Sequence, residues 1–298
     1  MMTESIEIEK IYELRDKFIK GIKGREYFPS QKQFSNKILK SVFFNEGEVL
    51  AAEFTRQHGK TTIVTETGGF LFLFYYPICN QFNIAPYPEF NIGFFAPQQQ
   101  QAQTPFNLMK DFLIACKQFG FEFVIDEFNG DTINIYDKYP RRQAYCFTAS
   151  PTSHPESKTL HLIIYDESQD LVDKQIDKAI APMGASTNAT QVFIGVAGYQ
   201  RCRFWELIST LPIENKFVVP VHAAIVEREE MYNLTLNPIY KNYKKFLEKQ
   251  LRLQGVTEDS DHYKTQYLLQ WILERGQFIT YDNLQSLEKD YTIYEEYS

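Results

Sequence analysis

The sequence has 298 residues, 44% of them hydrophobic, and a formal charge of -7. That is enough apolar material for one large domain or two small ones, and the acidic balance excludes a protein coated with a non-specific nucleic-acid-binding surface while leaving room for local basic patches. Cys79, Cys116, Cys146 and Cys202 lie far apart with no Cys-x-x-Cys pair and the five histidines add no ligand spacing, so neither a zinc site nor a disulfide framework is indicated and a reducing compartment is the natural setting.

Taken in chain order, residues 5–22 place Ile8, Ile11, Leu14, Phe18 and Ile22 three to four apart among charges, which predicts an amphipathic helix packed on a body further on. Ser30 can cap a second helix carrying Gln33, Ile38, Leu39 and Val42. A carboxamide at position 33 offers the donor and acceptor that match adenine, although a glutamine there, taken alone, is an ordinary surface residue. After the turn at Asn45, Glu46 and Gly47, residues 48–54 read as a buried strand that feeds Thr55-Arg56-Gln57-His58-Gly59-Lys60-Thr61-Thr62. A helix is expected over residues 61–76, with Gly68 and Gly69 in its middle.

A strand, a loop ending in Gly-Lys-Thr and a helix form phosphate-binding architecture. Backbone amides of the loop and the helix start can point at phosphate oxygens, Lys60 can reach the β/γ-phosphates, and the Thr61 hydroxyl can ligate Mg²⁺. The loop departs from the glycine-rich form. Phe54 stands where its first glycine belongs, and Arg56, Gln57 and His58 fill the interior.

Further on, residues 91–97 read as a second buried strand and 98–119 as a second long helix. Residues 121–126, 132–136 and 145–149 read as short strands, the first two joined by the hairpin signal Asn129-Gly130. Strands alternating with helices place the chain in the α/β class, with a mainly parallel sheet covered on both faces and a β-rich excursion. Residues 70–79 are the most apolar run and are too short to span a bilayer, and no N-terminal stretch has the apolar core of a signal peptide.

Residues 160–167 are a continuous apolar run ending in Asp166 and Glu167. Such a strand holds two carboxylates at its C-terminal edge, where open α/β sheets hold ligands. Asp166 would hold Mg²⁺ through its water shell and Glu167 would polarise the attacking water. Together with Gly59-Lys60-Thr61 they supply the cradle, metal ligand and base that phosphoryl transfer requires. A glycine-broken strand over 191–198, a helix starting at 204–208, a strand from Lys216 and helices over 239–253 and 261–273 complete the pattern. Lys241, Lys244, Lys245, Lys249 and Arg252 read as a solvated helix face with interspersed acids such as Glu248.

The loop sequence Arg56-Gln57-His58-Gly59-Lys60-Thr61 resembles the Arg-Gln-x-Gly-Lys-Thr phosphate loop of the large terminase subunit's ATPase domain, the motor that packages DNA into tailed phages and related viruses. Residues 29–33 are similar to that family's adenine motif, Ala96-Pro97 with Gln101-Ala102 to its second strand and helix, and 160–167 to its Walker B strand. Residues 195–207 occupy the place of its coupling motif, and 263–278 look like its closing segment. The resemblance implies a RecA-like P-loop NTPase of the additional-strand (ASCE) class, with a core over residues 1–215. Residues 216–298 would finish the sheet and form a small lid-like subdomain. It also implies MgATP hydrolysis coupled to translocation of double-stranded DNA into a viral procapsid. The motor would be a homo-oligomeric ring at the portal protein, with the small terminase subunit, in the cytoplasm of the infected host cell and away from membranes. By motif position Lys60 and Thr61 take phosphate and Mg²⁺, and Gln57, His58, Gly59 and Thr62 complete the cradle. Arg56 senses the γ-phosphate, Asp166 supports the metal, Glu167 is the base and Gln33 reads adenine.

The chain departs from the family at three points. Gly195-Val196-Ala197 stands where the coupling motif has small hydroxyl residues, so no side chain there can reach Glu167. Glu156-Ser157 stands where many relatives carry an Arg-Gly pair whose arginine reaches into a neighbour's site. Lys158 is then the nearest cation, with Arg201, Arg203, Arg141 and Arg142 behind it, each equally readable as a surface cation. Finally, an RNase H-like nuclease domain would follow the closing segment. The few residues after Gly276 cannot supply a sheet that converges several carboxylates on metal ions, so no nuclease is expected. Two other classes compete. A superfamily-2 helicase-like DNA-dependent ATPase needs a second RecA-like domain, for which the chain after Glu167 is too short. A nucleotide-binding scaffold without turnover needs no base, and Glu167 stands against it.

Overall fold

The computed structural model describes residues 2–128, 130–149, 158–254 and 257–273. Two helices, α1 (Met2–Lys23) and α2 (Pro29–Phe43), precede β1 (Val49–Phe54), and α3 (Lys60–Phe82) follows it. Then come β2 (Phe90–Ala96), α4 (Gln99–Gln118), β3 (Val124–Phe128), β4 (Thr132–Tyr136), β5 (Arg142–Thr148), β6 (Leu162–Tyr165), a single turn α5 (Asp173–Gln175) and β7 (Thr190–Gly195). The remainder is α6 (Arg203–Thr210), β8 (Lys216–Val219), α7 (Val221–Thr235), α8 (Asn242–Gln254) and α9 (Asp261–Gln266).

The strands form one sheet in the order β3-β4-β5-β2-β6-β7-β1-β8. From β5 to β8 every pairing is parallel, and only the β3–β4–β5 excursion is antiparallel. β7 lies between β1 and β6, which is the additional strand of the RecA-like architecture and separates the phosphate-loop strand from the acidic one. The period-2 alternation of each strand splits its side chains between two apolar layers. Leu50, Ala52, Ile92, Phe94, Leu162, Ile164, Val192 and Ile194 pack with α1 to α4. Ala51, Phe95, Ile163, Tyr165 and Phe193 face the other layer, with Phe204 of α6. A sheet buried on both faces explains why β1, β2 and β6 read as near-continuous apolar runs, interrupted only by Glu53 in β1 and Asn91 in β2.

Several boundaries differ from the sequence reading for identifiable reasons. Helix α3 starts at Lys60 and runs well past residue 76, through Gly68, Gly69 and Pro77, because the glycines are packing positions: a methyl on Gly69 would lie 2.3 Å from Cδ1 of Phe112 on α4. Helix α2 begins before Ser30. Its start is satisfied by the Phe28 amide donating to Gln31 Oε1, and the Ser30 hydroxyl is used elsewhere. The helix expected over 261–273 stops at Gln266, and Leu269 adopts φ +58 as the following residues turn back onto the sheet edge. The strand expected over 121–126 is displaced to Val124–Phe128. Asn129, Glu156, Ser157 and residues 276–278 lie outside the described residues. Among the described residues no helix is long and apolar enough to cross a membrane, and the four cysteines are buried free thiols.

Candidate active site

Parallel strands deliver their C-terminal ends to one edge of the sheet, and ligands of open α/β sheets bind there. β1, β7 and β6 end side by side, with Glu53 paired to Gly195 and Tyr165 to Phe193, so the loops that follow them meet.

The loop after β1 turns its carbonyls away from the nascent α3. The Arg56 carbonyl accepts from Tyr243 Oη at 2.8 Å, the Gln57 carbonyl from Arg228 Nη2 at 2.7 Å, and the His58 carbonyl from Gln31 Nε2 at 2.7 Å. The Thr55 amide donates to the Val219 carbonyl at 2.9 Å and the Arg56 amide to the Gln266 carbonyl at 3.1 Å. Gln57 and Gly59 both take positive φ, +61 and +76, which closes the turn without a glycine-rich interior. A Cβ on Gly59 would sit 2.9 Å from Gln31 Nε2. The first amides of α3 have no helical carbonyl to donate to, and the helix dipole adds positive potential there, so they are open to an anion.

Lys60, Thr61, Asp166 and Glu167 are brought together. Thr61 Oγ1 donates to Asp166 Oδ2 at 3.1 Å, and Lys60 Nζ stands 3.7 Å from Glu167 Oε1. Asp166 is buried at 5% exposure. Burial and then the charge of Glu167 push its carboxyl up to about 6, against the opposing pull of Lys60, the Glu167 amide and Thr61. A buried carboxylate under that stress, beside a threonine hydroxyl, is a donor pair suited to a hard cation such as Mg²⁺. Glu167 has φ +49 and ψ +48, a left-handed conformation unusual for a residue with a side chain.

Other expected site residues fall elsewhere. Gln33 is exposed and lines an open groove with Tyr12, Asn36, Lys37 and Phe217. The helical rotation that turns it outward brings Gln31 inward onto the loop, so the structure does not place Gln33 at the nucleotide cradle. His58 points away from the cradle as well. Its ring is buried, stacks on Phe28 with centroids 5.1 Å apart, and places Nε2 3.0 Å from Glu227 Oε2 and 3.1 Å from Ser30 Oγ. Burial opposes it, but the hydrogen bonds of His58 and Ser30 hold the Glu227 carboxyl below its usual range. Arg56 and Gln57 are exposed at the loop's tip, and Thr62 is half-buried in the first turn of α3.

Among the finger candidates, Arg142 is fully buried, ion-paired to Asp137 at 2.7 Å, at the start of β5 and hence at the opposite sheet edge. It cannot reach a neighbour. The adjacent Arg141 is ion-paired to Glu89 at 4.0 Å. Lys158 lies over the Tyr145 ring at 5.4 Å, and Arg203 is held by Asp177 at 2.9 Å. Arg201 is exposed just beyond the C-terminal end of β7, its guanidinium 5.0 Å from the Trp205 ring centre.

No family model and no curated protein matches the sequence. Solved structures do match in fold. The large terminase of a thermophilic bacteriophage is 15% identical over 83% of this chain, with a TM-score of 0.58. The ATPase domain of the Thermus phage P74-26 large terminase is 15% identical over 86% of it, with a TM-score of 0.59. The HK97 bacteriophage large terminase is 15% identical over 81%, with a TM-score of 0.54. The chain spans 54% of the first of these proteins, 50% of the HK97 protein and 98% of the P74-26 ATPase domain. The first has also been solved with ADP and with ATP-gamma-S. The fold of this chain is that of a large terminase ATPase domain.

Proposed function

We propose that this chain is an ATP-hydrolysing motor domain that drives double-stranded DNA into a viral procapsid. It works as a ring of identical copies at the portal, with the small terminase subunit, in the cytoplasm of the infected cell. The observation that carries the reading is the convergence of Lys60, Thr61, Asp166 and Glu167 at one sheet edge, in front of amides that have no helical partner.

In this reading the open amides of α3 and the Lys60 ammonium hold the β/γ-phosphates, and Glu167 accepts a proton from the water that attacks the γ-phosphorus. The bond to the β-bridging oxygen then breaks, releasing ADP and phosphate. Mg²⁺, when bound, neutralises charge on the phosphate oxygens, and Thr61 with Asp166 would hold it. The exposed Arg56 at the loop's tip adds positive charge within the subunit.

The test is phosphate release with and without DNA. Lys60→Ala is expected to abolish it with the fold intact, because the side chain faces the cradle. Glu167→Gln is expected to bind ATP normally and hydrolyse it about 10²- to 10⁴-fold more slowly, the usual range for loss of a general base. Unchanged release in Glu167→Gln would remove Glu167 as the base, and nucleotide binding with no release by the unaltered protein would favour a scaffold instead. Release unaltered by Lys60→Ala would refute the phosphate-loop assignment.

A further inference from the structure

The catalytic carboxylate of the proposed reaction has a second partner that the sequence motifs do not supply. Gln169 lies in the 3₁₀ turn Ser168–Asp170 that follows Glu167. Its Nε2 donates to Glu167 Oε2 at 2.9 Å and to Asp170 Oδ2 at 3.0 Å, while its Oε1 accepts from the Val196 amide at 3.2 Å. One carboxamide therefore bridges the base candidate and the end of β7. Gly195 leaves the room for it: a Cβ there would fall 2.4 Å from Gln169 Oε1. At Gly198 a Cβ would meet Trp271 Cζ3 first, at 3.1 Å, and would only touch Gln169 Cβ, at 3.4 Å. Residues 195–197 carry no hydroxyl that could make this link, and the glutamine makes it from the other side.

We infer that Gln169 is the positioning residue for Glu167 and the physical link between the hydrolytic site and the end of β7. This rests on the ATPase reading above. Two observations make the link consequential. Glu167 sits in a left-handed backbone conformation, which persists only where surroundings over-determine it. And its charged partner, Lys60, is the residue that turns to the phosphates in the proposed reaction. Gln169 is then the group that keeps the carboxylate aimed at the attacking water. Any swing of Glu167 pulls on a carboxamide fastened to the Val196 amide, and Ile272 follows through its own amide, which donates to the Gly198 carbonyl at 3.2 Å.

Gln169→Met keeps length and volume and removes all three hydrogen bonds of the carboxamide. The expected result is a kcat about 10- to 100-fold lower, the scale of one hydrogen bond to a charged group, with KM for ATP and the thermal midpoint near those of the unaltered protein. The Val196 amide is expected to exchange its proton faster in the same variant, a readout independent of turnover. Gln169→Glu, which places a third carboxylate beside Glu167 and Asp170, is expected to lower kcat further and also to free the Glu167 side chain. Unaltered kcat and Val196 exchange in Gln169→Met would overturn the inference, as would a drop in kcat matched by an equal loss of ATP binding. The ATPase reading has its own control: if the unaltered protein releases no phosphate, that reading fails, whereas an active protein indifferent to Gln169→Met refutes only the link. Should Gln169→Met fold poorly, Gln169→Ala tests the same bridge, because it removes the carboxamide without adding bulk to the site. Val196 exchange unchanged in that variant would equally overturn it.

Discussion

Glu53 shows how an acid can serve a strand without serving chemistry. It is the penultimate residue of β1, 1% exposed, with Oε1 lacking a hydrogen-bond partner, and burial pushes its carboxyl up from 4.5 to about 8. The native state therefore keeps a proton that the unfolded chain releases near 4.5. Between those values the native protein binds more protons, so stability falls as pH rises from about 4.5 to about 8 and levels above. His161, pushed down from 6.5 to about 4 by burial, works in the opposite direction over its own range. The difference between the unaltered protein and Glu53→Gln isolates the Glu53 contribution. Denaturant melts are expected to show the variant gaining relative stability as pH rises, and a pH-independent difference would contradict it. At this scale the sequence pointed to Lys60, Thr61, Asp166 and Glu167, which the structure brings together, because each sits at a fixed offset from a strand end. It pointed to Gln33 and not to Gln31, which makes the loop contact, because the phase of a helix on its body depends on packing. It missed Gln169 because that contact depends on the left-handed turn at Glu167, which has no glycine to announce it.

Helix α3 carries the phosphate site on its first turn and is fixed by packing further along. Gly68 and Gly69 weaken it as an isolated helix, yet they admit α4, and Phe112 fills the space over Gly69. Gly69→Ala is expected to lower stability by about 1–3 kcal/mol, the usual cost of overpacking, despite alanine's better helix propensity. Phe112→Leu in the same chain should recover part of that loss, and a thermal melt of both single variants and the double variant measures the coupling. Equal stability of Gly69→Ala and the unaltered protein would mean that α4 yields easily. Most strands and the first four helices were legible from apolar periodicity. α7 was not, because its buried residues Val221, Ala224 and Met231 form too sparse a pattern and its hold on the loop comes from polar side chains, Glu227 and Arg228. The closing helix was read too long because its last turn closes on itself, the Tyr267 and Leu268 amides both donating to the Tyr263 carbonyl, and beyond it the Tyr267 carbonyl and Ile272 amide bond to Val221 and Gly198 instead.

As a whole molecule, the chain presents its candidate site at an open sheet edge, with cations of different exposure around it. A ring motor that stabilises charge at the γ-phosphate from a neighbour would use an exposed cation on that edge, and an arginine so placed is typically worth about 10³- to 10⁵-fold in rate. Arg201 meets the positional requirement and Arg142 does not. ATPase activity per subunit is expected to rise with protein concentration, and Arg201→Ala to remove the rise without weakening ATP binding. Activity that stays flat up to the concentration of ring formation would leave the task to Arg56.

The three carbonyl grips on the loop have a consequence in time. The loop is made early in synthesis, but the side chains and carbonyls that fix its backbone, apart from Gln31, come from Val219, Arg228, Tyr243 and Gln266. A ribosome adding about 5–20 residues per second reaches Gln266 roughly 10–40 s after the loop leaves the peptidyl-transferase centre. A nascent chain therefore passes most of its synthesis with the loop made but its cradle unfixed, and β1 itself waits for β7 and β8. If the chain binds nucleotide as proposed, capture is expected late in the life of each copy, set by the arrival of its last third rather than by the motif that announces it.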